Sequence, residues 1–142
     1  MGANLAELVD VYEKQVRAVL ELAVPVWQSA LTKQEQYQIE RVQKCAMYII
    51  LGDQYDGYTK ALETVKLETL QERRKKICEN FVRKAEKHPQ HSYWFQLNDL
   101  GNRKRRKINA TQKLKYQSVQ FRTNRFKNSP LSYLTELLNN MK

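Results

Sequence analysis

Apolar residues recur at spacings of three and four through most of positions 1–88, the mark of amphipathic helices. The stretch from Val19 to Gly52 organises the rest. Leu20, Val24 and Trp27 close one stripe, and Ile39, Val42, Ala46, Ile49 and Ile50 form a second. Between them Pro25 has no N–H and crowds the preceding turn, which predicts a kink or stop in the first helix. Thr32 with Glu35 has the capping-box form and predicts a restart just after Leu31. Gly52 can take the left-handed conformation that ends that helix. Upstream, Asn4 with Glu7 predicts a first helix to roughly Val24. Its expected inward stripe is Leu5, Leu8, Val9, Tyr12, Val16, Val19, Leu20 and Ala23, with Asp10, Glu13, Lys14 and Arg17 on the solvated face. Trp27 is expected to anchor the core where two helices meet.

After a turn at DQYDGY, a short helix is expected from Tyr58 to Val65 with Tyr58, Ala61, Leu62 and Val65 inward. Thr69 with Glu72 starts the next, Leu70 to Lys87, whose stripe is Leu70, Ile77, Cys78, Phe81, Val82 and Ala85. Arg74 lies on that same stripe. There it needs a carboxylate or carbonyl partner, with Glu40, Asp53 or Glu63 as candidates, or else a phosphate. Arg73, Lys75, Lys76, Arg83, Lys84 and Lys87 face outward as a basic flank. Pro89 ends the helical body, and Trp94 and Phe95 are expected to lock the following segment onto it. From Gln96 the periodicity fades into a loop and then a run that interleaves cations with aromatics, with Tyr116 to Phe121 considered as a short strand. Ser129-Pro130 opens a final helix, Leu131 to Asn139. The expected fold is therefore mostly α. It is a small bundle of about four helices over 1–88, followed over 89–142 by a basic-aromatic, largely irregular tail that ends in a short helix.

Charge sharpens this division. Residues 1–70 carry a net −3 and residues 71–128 a net +13, within a chain of formal charge +10. That asymmetry points to a polyanion partner. No apolar run approaches the ~18 residues of a membrane span. The opening MGANLAELVD is acidic and amphipathic rather than secretory, and Ala6 stands where a myristoylation motif wants Ser or Thr. Cys45 and Cys78 read as reduced thiols, which suits an intracellular setting, nucleus or cytoplasm.

Catalytic and metal motifs are missing from the residues. There is no Gly-rich phosphate loop, paired-cysteine motif or Gly-x-Ser-x-Gly, and Cys78, His88 and His91 match no standard zinc spacing. Asp10, Asp53, Asp56 and Asp99 are isolated, so no Asp-Asp pair is present to hold two metals. The residues point away from a stand-alone enzyme, and neither a cofactor nor a metal is expected. What remains is binding. The candidate phosphate contacts are Arg73, Lys76, Arg103, Lys104, Arg105, Arg106, Lys107, Lys113, Lys115, Arg122, Arg125 and Lys127. Tyr116, Phe121 and Phe126 are candidate base stackers. The same tail also reads as a solvated appendage whose aromatics pack on the helices, and the residues alone leave both readings open. The run Arg103–Lys107 reads as a phosphate patch, a nuclear import signal or both.

Four blocks in order carry a family likeness. They are Val-x-x-Val-Leu-Glu-x-Ala-x-Pro-Val-Trp at 16–27, Ile-Glu-x-Val-Gln-Lys at 39–44, Leu-x-x-Arg-Arg at 70–74, and Arg-Thr-x-Arg-x-x-x-Ser-Pro-x-x-Tyr-Leu-Thr at 122–135. Together they resemble the C-terminal part of the reverse-transcriptase polyprotein of non-LTR (LINE-type) retrotransposons, over nearly the whole chain from Gly2 to Asn140. The family's fingers, its palm with an aromatic-x-Asp-Asp motif and its endonuclease have no counterpart here. The resemblance thus implies a thumb-like helical region and basic tail without catalytic domains, gripping RNA, DNA or an RNA–DNA hybrid by shape and backbone. The expected function is a non-catalytic nucleic-acid-binding module. The alternative is a docking fragment that presents the Leu5–Leu20 or Leu131–Leu138 stripe to a catalytic reverse-transcriptase domain or to a second copy.

Overall fold

The computed structural model describes residues 4–96, 115–117 and 121–141. The chain is mostly α, and no strand occurs among the described residues. It divides into two compact units, Met1–Ile77 and Cys78–Lys142.

In the first unit α1 (Leu5–Val11) runs into a π-helical turn (Tyr12–Arg17) and then α2 (Ala18–Leu20). This π-turn corrects the expected stripe. An i→i+5 turn holds one residue more than an α turn, so the inward position after Tyr12 is Arg17 and not Val16. Leu8, Val9, Tyr12, Arg17, Leu20 and Val24 turn inward or half inward, while Val16, Val19 and Ala23 are exposed. Leu5, in the first turn of the helix, is exposed as well. Arg17 thereby reaches Glu13 at 2.6 Å and Glu21 at 3.6 Å.

The chain then reverses at Ala23, whose φ of 53° is a left-handed conformation costly to any residue with a Cβ. Pro25 sits in the first turn of α3 (Val24–Trp27), where its missing N–H costs nothing. Trp27 is half-buried, and its indole N–H donates to the Leu22 carbonyl at 2.6 Å, which closes the reversal.

Helix α4 (Lys33–Leu51) begins at the expected capping box. Glu35 N–H donates to Thr32 Oγ1 at 3.3 Å, and Thr32 N–H donates to the Glu35 carboxylate at 2.7 Å. The Thr32 N–H and then its hydroxyl, both donating to the Glu35 carboxylate, hold that carboxyl below its usual value. The helix ends at Gly52, with φ of 52°. Its inward line is rotated from the expected one. Gln43, Met47 and Leu51 are buried, Ile39, Ala46 and Ile50 half-buried, and Val42 and Ile49 exposed. Gln43 holds the centre because its amide donates to the Glu68 carbonyl at 2.9 Å, a partner invisible to periodicity.

Helix α5 (Tyr58–Val65) buries Ala61 and Leu62 against Tyr12, Met47 and Leu51. Tyr58 donates its hydroxyl to Glu40 at 2.5 Å, and the same carboxylate oxygen accepts the Leu70 N–H at 3.2 Å. Burial, aided by Glu40, pushes the Tyr58 phenol well above its ordinary range. Helix α6 (Leu70–Lys87) starts at Thr69, whose Oγ1 accepts from Glu72 N–H at 3.2 Å. Arg74 is 1% exposed, four residues on from fully buried Leu70. It thus occupies the core-facing position that the stripe assigned to it.

The division into compact units falls between Ile77 and Cys78, inside α6. The reason is packing. The second half of α6 buries Cys78, Val82 and Ala85, and among the described residues of that unit Phe95, Tyr116, Leu134 and Leu138 are also buried. Phe81, expected inward, is 36% exposed. Phe95 meets the Tyr116 ring edge-to-face at 6.1 Å. The other described elements of this unit are a single 3-10 turn at Ser92–Trp94, a one-turn α7 (Asn124–Lys127) and α8 (Pro130–Asn140). Ser129 caps α8 through Ser132 N–H at 3.4 Å, with Pro130 in the first turn as expected. The expected strand at Tyr116–Phe121 lies partly outside the described residues. In the described part, Gln117 N–H donates to Gln96 C=O at 2.8 Å.

Candidate nucleic-acid interface

Salt bridges and burial sort the candidate phosphate contacts into three groups. Arg103, Lys104, Arg105, Arg106, Lys107 and Lys113 lie outside the described residues. Arg73, Lys76 and Lys115 are engaged within the chain, and so is Tyr116. Arg122, Arg125, Lys127, Phe121 and Phe126 are exposed.

Arg73 is paired within the first unit. Its guanidinium donates to both oxygens of Glu21, at 2.5 and 3.0 Å. Glu21 also serves Arg17, so the carboxylate is the hub of a network in which Arg17 and Glu21 side chains are 13% and 15% exposed. The bidentate bond raises the Arg73 pKa further. Such geometry serves structure, and a phosphate would have to displace Glu21. Lys76 donates to Glu68 and holds that carboxyl low. Lys115 reaches Glu86 at 2.7 Å. Their side chains are well exposed, at 59% and 64%, and exposed pairs contribute only about 0–1 kcal/mol. A phosphate can therefore compete for these two lysines at small cost.

Tyr116 is likewise engaged within the chain. It is 4% exposed and donates its hydroxyl to Glu86, while Asn139 brackets its backbone at 2.9 and 3.2 Å. The ring is an internal strut between α6 and α8, with no free face for a base. Burial, then the Glu86 bond, raises the Tyr116 phenol, and Lys115 followed by Tyr116 holds the Glu86 carboxyl low. Spacing alone could not separate Tyr116 from Phe121, because alternating aromatics and cations look the same in a strut and in a stacking platform.

Among the described residues, Lys33, Arg41, Lys44, Lys66 and Lys75 of the first unit are exposed with no ion pair, and the second unit adds two short groups of such cations. On α6, Arg83, Lys84 and Lys87 are exposed and make no ion pair among the described residues. The sequence reading placed them on a basic flank without choosing them as contacts. Lys84 and Lys87 stand in the last turn, where the helix dipole favours positive charge. On and beside α7, Arg122, Arg125 and Lys127 are likewise exposed and without an ion pair among the described residues. Thr123 Oγ1 caps this turn by accepting Phe126 N–H at 3.3 Å. Phe121 and Phe126 are 45% and 44% exposed, and Lys127 Nζ lies 5.8 Å from the Phe121 ring centroid. Three cations and two half-exposed rings within seven residues offer both phosphate contacts and stacking surface.

Formal charge follows the two units. Met1–Ile77 holds eleven Lys/Arg and eleven Asp/Glu, net zero, while Cys78–Lys142 holds fourteen and four, net +10. Among the described residues no group of three His, Cys, Asp or Glu is placed to hold a metal. His88 stacks on His91 at 4.9 Å, and His91 on Trp94 at 4.6 Å. No described helix is long and apolar enough to cross a membrane. The chain matches no protein-family model, no curated protein and no solved structure.

Proposed function

We propose that this chain is a non-catalytic nucleic-acid-binding module, akin to the thumb and tail that follow the palm in a LINE-type reverse transcriptase. The observation that carries the reading is the concentration of the whole formal charge of +10 in Cys78–Lys142. The exposed, unpaired cations on α6 and α7 support it. Phosphate neutralisation by Lys and Arg releases counterions and gives sequence-independent, salt-sensitive binding. Arg83, Lys84, Lys87, Arg122, Arg125 and Lys127 are the primary contacts in this reading, with Arg103–Lys107 and Lys113 extending the grip. Phe121 and Phe126 stack on unpaired bases. Arg73 and Tyr116 serve the fold.

The test is binding of the purified full chain to a short labelled RNA–DNA hybrid across a salt series. A linear fall of log affinity with log salt is expected, steep enough to count several phosphates. Replacing Arg103 to Lys107 with alanine should flatten that slope and weaken binding alike for all sequences. Absence of binding at low salt would overturn the proposal, as would polymerase activity from the chain alone.

A further inference from the structure

Helix α4 presents to solvent a line of rings and cations. Lys33, Tyr37, Arg41, Lys44 and Tyr48 follow one another at steps of four, four, three and four, which places all five on one face of the helix. All are exposed, Tyr37 by 67% and Tyr48 by 62%. None of the three cations is in an ion pair among the described residues. The carboxylates of α4 are committed elsewhere. Glu35 closes the capping box with Thr32, and Glu40 accepts from Tyr58 at 2.5 Å and from Leu70 N–H at 3.2 Å. The Tyr48 ring meets that of Tyr55 at 79°, with centroids 5.4 Å apart, a contact that fixes its orientation. The formal neutrality of the first unit therefore hides a stripe with three positive charges and no carboxylate of its own helix.

We propose that this stripe is a binding site for single-stranded nucleic acid, additional to the cation groups of the second unit and resting on the nucleic-acid reading above. Charge and ring placement select that ligand together. Cations without a counter-charge take phosphates. Exposed rings stack on unpaired bases whatever their identity, whereas a paired duplex offers them no base face. Tyr37 and Tyr48 flank Arg41 and Lys44 and stand about 16 Å apart along the axis, at 1.5 Å per residue. A strand of a few nucleotides can thus lay a base on each ring with its phosphates over the cations between. An acidic peptide would answer the cations and leave both rings without a role. The other exposed line of α4, Val42 and Ile49, has neither ring nor charge and takes no part. The tail interleaves aromatics and cations within a short run, whereas α4 spreads them at helical spacing, so the pattern emerges only on the folded face.

The test is fluorescence anisotropy of the full chain with a labelled oligothymidine strand and, separately, with the paired RNA–DNA hybrid. The native chain should bind both. Tyr37→Ala with Tyr48→Ala should weaken single-strand binding at least about tenfold and leave hybrid affinity unchanged. Arg41→Gln with Lys44→Gln should flatten the single-strand salt slope by about one unit or more. All four positions are exposed, so circular dichroism should stay unchanged, and Ile49→Gln should alter neither affinity. Ultraviolet cross-linking to a bromouracil-substituted strand should leave an adduct on Tyr37 or Tyr48. Unchanged single-strand affinity in the tyrosine pair, or adducts confined to Cys78–Lys142, would overturn this site while the nucleic-acid reading stands. An equal loss on strand and hybrid would overturn it too, as would polyglutamate that binds as tightly as the strand and is lost in the same variant. Absence of binding to either nucleic acid would overturn both readings.

Discussion

Met1–Ile77 and Cys78–Lys142 carry similar numbers of cations, eleven and fourteen, but differ in what answers them. In the first unit carboxylates equal cations in number, although Lys33, Arg41, Lys44, Lys66 and Lys75 are exposed with no ion pair among the described residues. The inward-facing ones are tied into the Glu13–Arg17–Glu21–Arg73 network. In the second unit four carboxylates face fourteen cations, and the described ion pair there uses Lys115 and Glu86. The comparison separates two uses of arginine that a count cannot tell apart. A guanidinium with a bidentate carboxylate fixes helices. The same group without a counter-charge is open to phosphate.

The largest effect that can break this contrast is on binding. The triple variant Arg122→Ala, Arg125→Ala and Lys127→Ala is expected to lose about one unit of salt slope per contact removed. At low salt that is a loss on the order of a hundredfold or more. Arg73→Ala should leave the slope unchanged, and a matching loss in both variants would erase the distinction between the units. Next in size is a stability effect confined to the neutral unit. Glu21→Ala strands two arginines and should lower the unfolding free energy by about 2 kcal/mol, read from urea titration, since Arg73 is one-third exposed and partly screened. Adding Arg73→Ala should recover part of that loss.

The smallest effect is on pH dependence in the second unit. Lys115 and Tyr116 depress the Glu86 carboxyl below its ordinary value of 4.5. The stabilisation is present above that value and is lost as pH falls through the depressed one. Glu86 is more than a quarter exposed, so the contribution is below about 1 kcal/mol. Thermal melts from neutral to acid pH should show Glu86→Gln with a shallower decline than the native chain.

Much of the local structure was legible in the residues. Thr32, Thr69 and Ser129 announce helix starts through side-chain bonds to amides a few residues on, and those bonds form. Caps are short-range chemistry, so a short window of sequence contains the whole cause. The inner faces were less legible. Val16, Val19, Val42 and Ile49 have the right character for a core, yet Arg17 takes an inner place because the π-turn carries it there, and Gln43 does so because Glu68, 25 residues away, supplies its partner. The division of α6 between the two compact units is of the same long-range kind. A continuous helix gives no sign of which half packs with which later segment. Of the candidate site, the exposed α7 cluster had a recognisable composition, whereas the engagement of Arg73 and Tyr116 depends on Glu21, 52 residues away, and Glu86, 30 away.

The π-turn has a consequence for how this chain can vary in length. Between Tyr12 and Arg17 the inward step is five residues, one more than an α turn requires. Removing exposed Gln15 would restore a four-residue step and leave Arg17, Leu20 and Val24 on the side they already occupy. Removing Ala18 instead would turn everything beyond it by about 100° and carry fully buried Val24 off the core. The first helical segment thus has one place where a residue can be lost without changing its register. Related chains that are one residue shorter would be expected to carry their gap there.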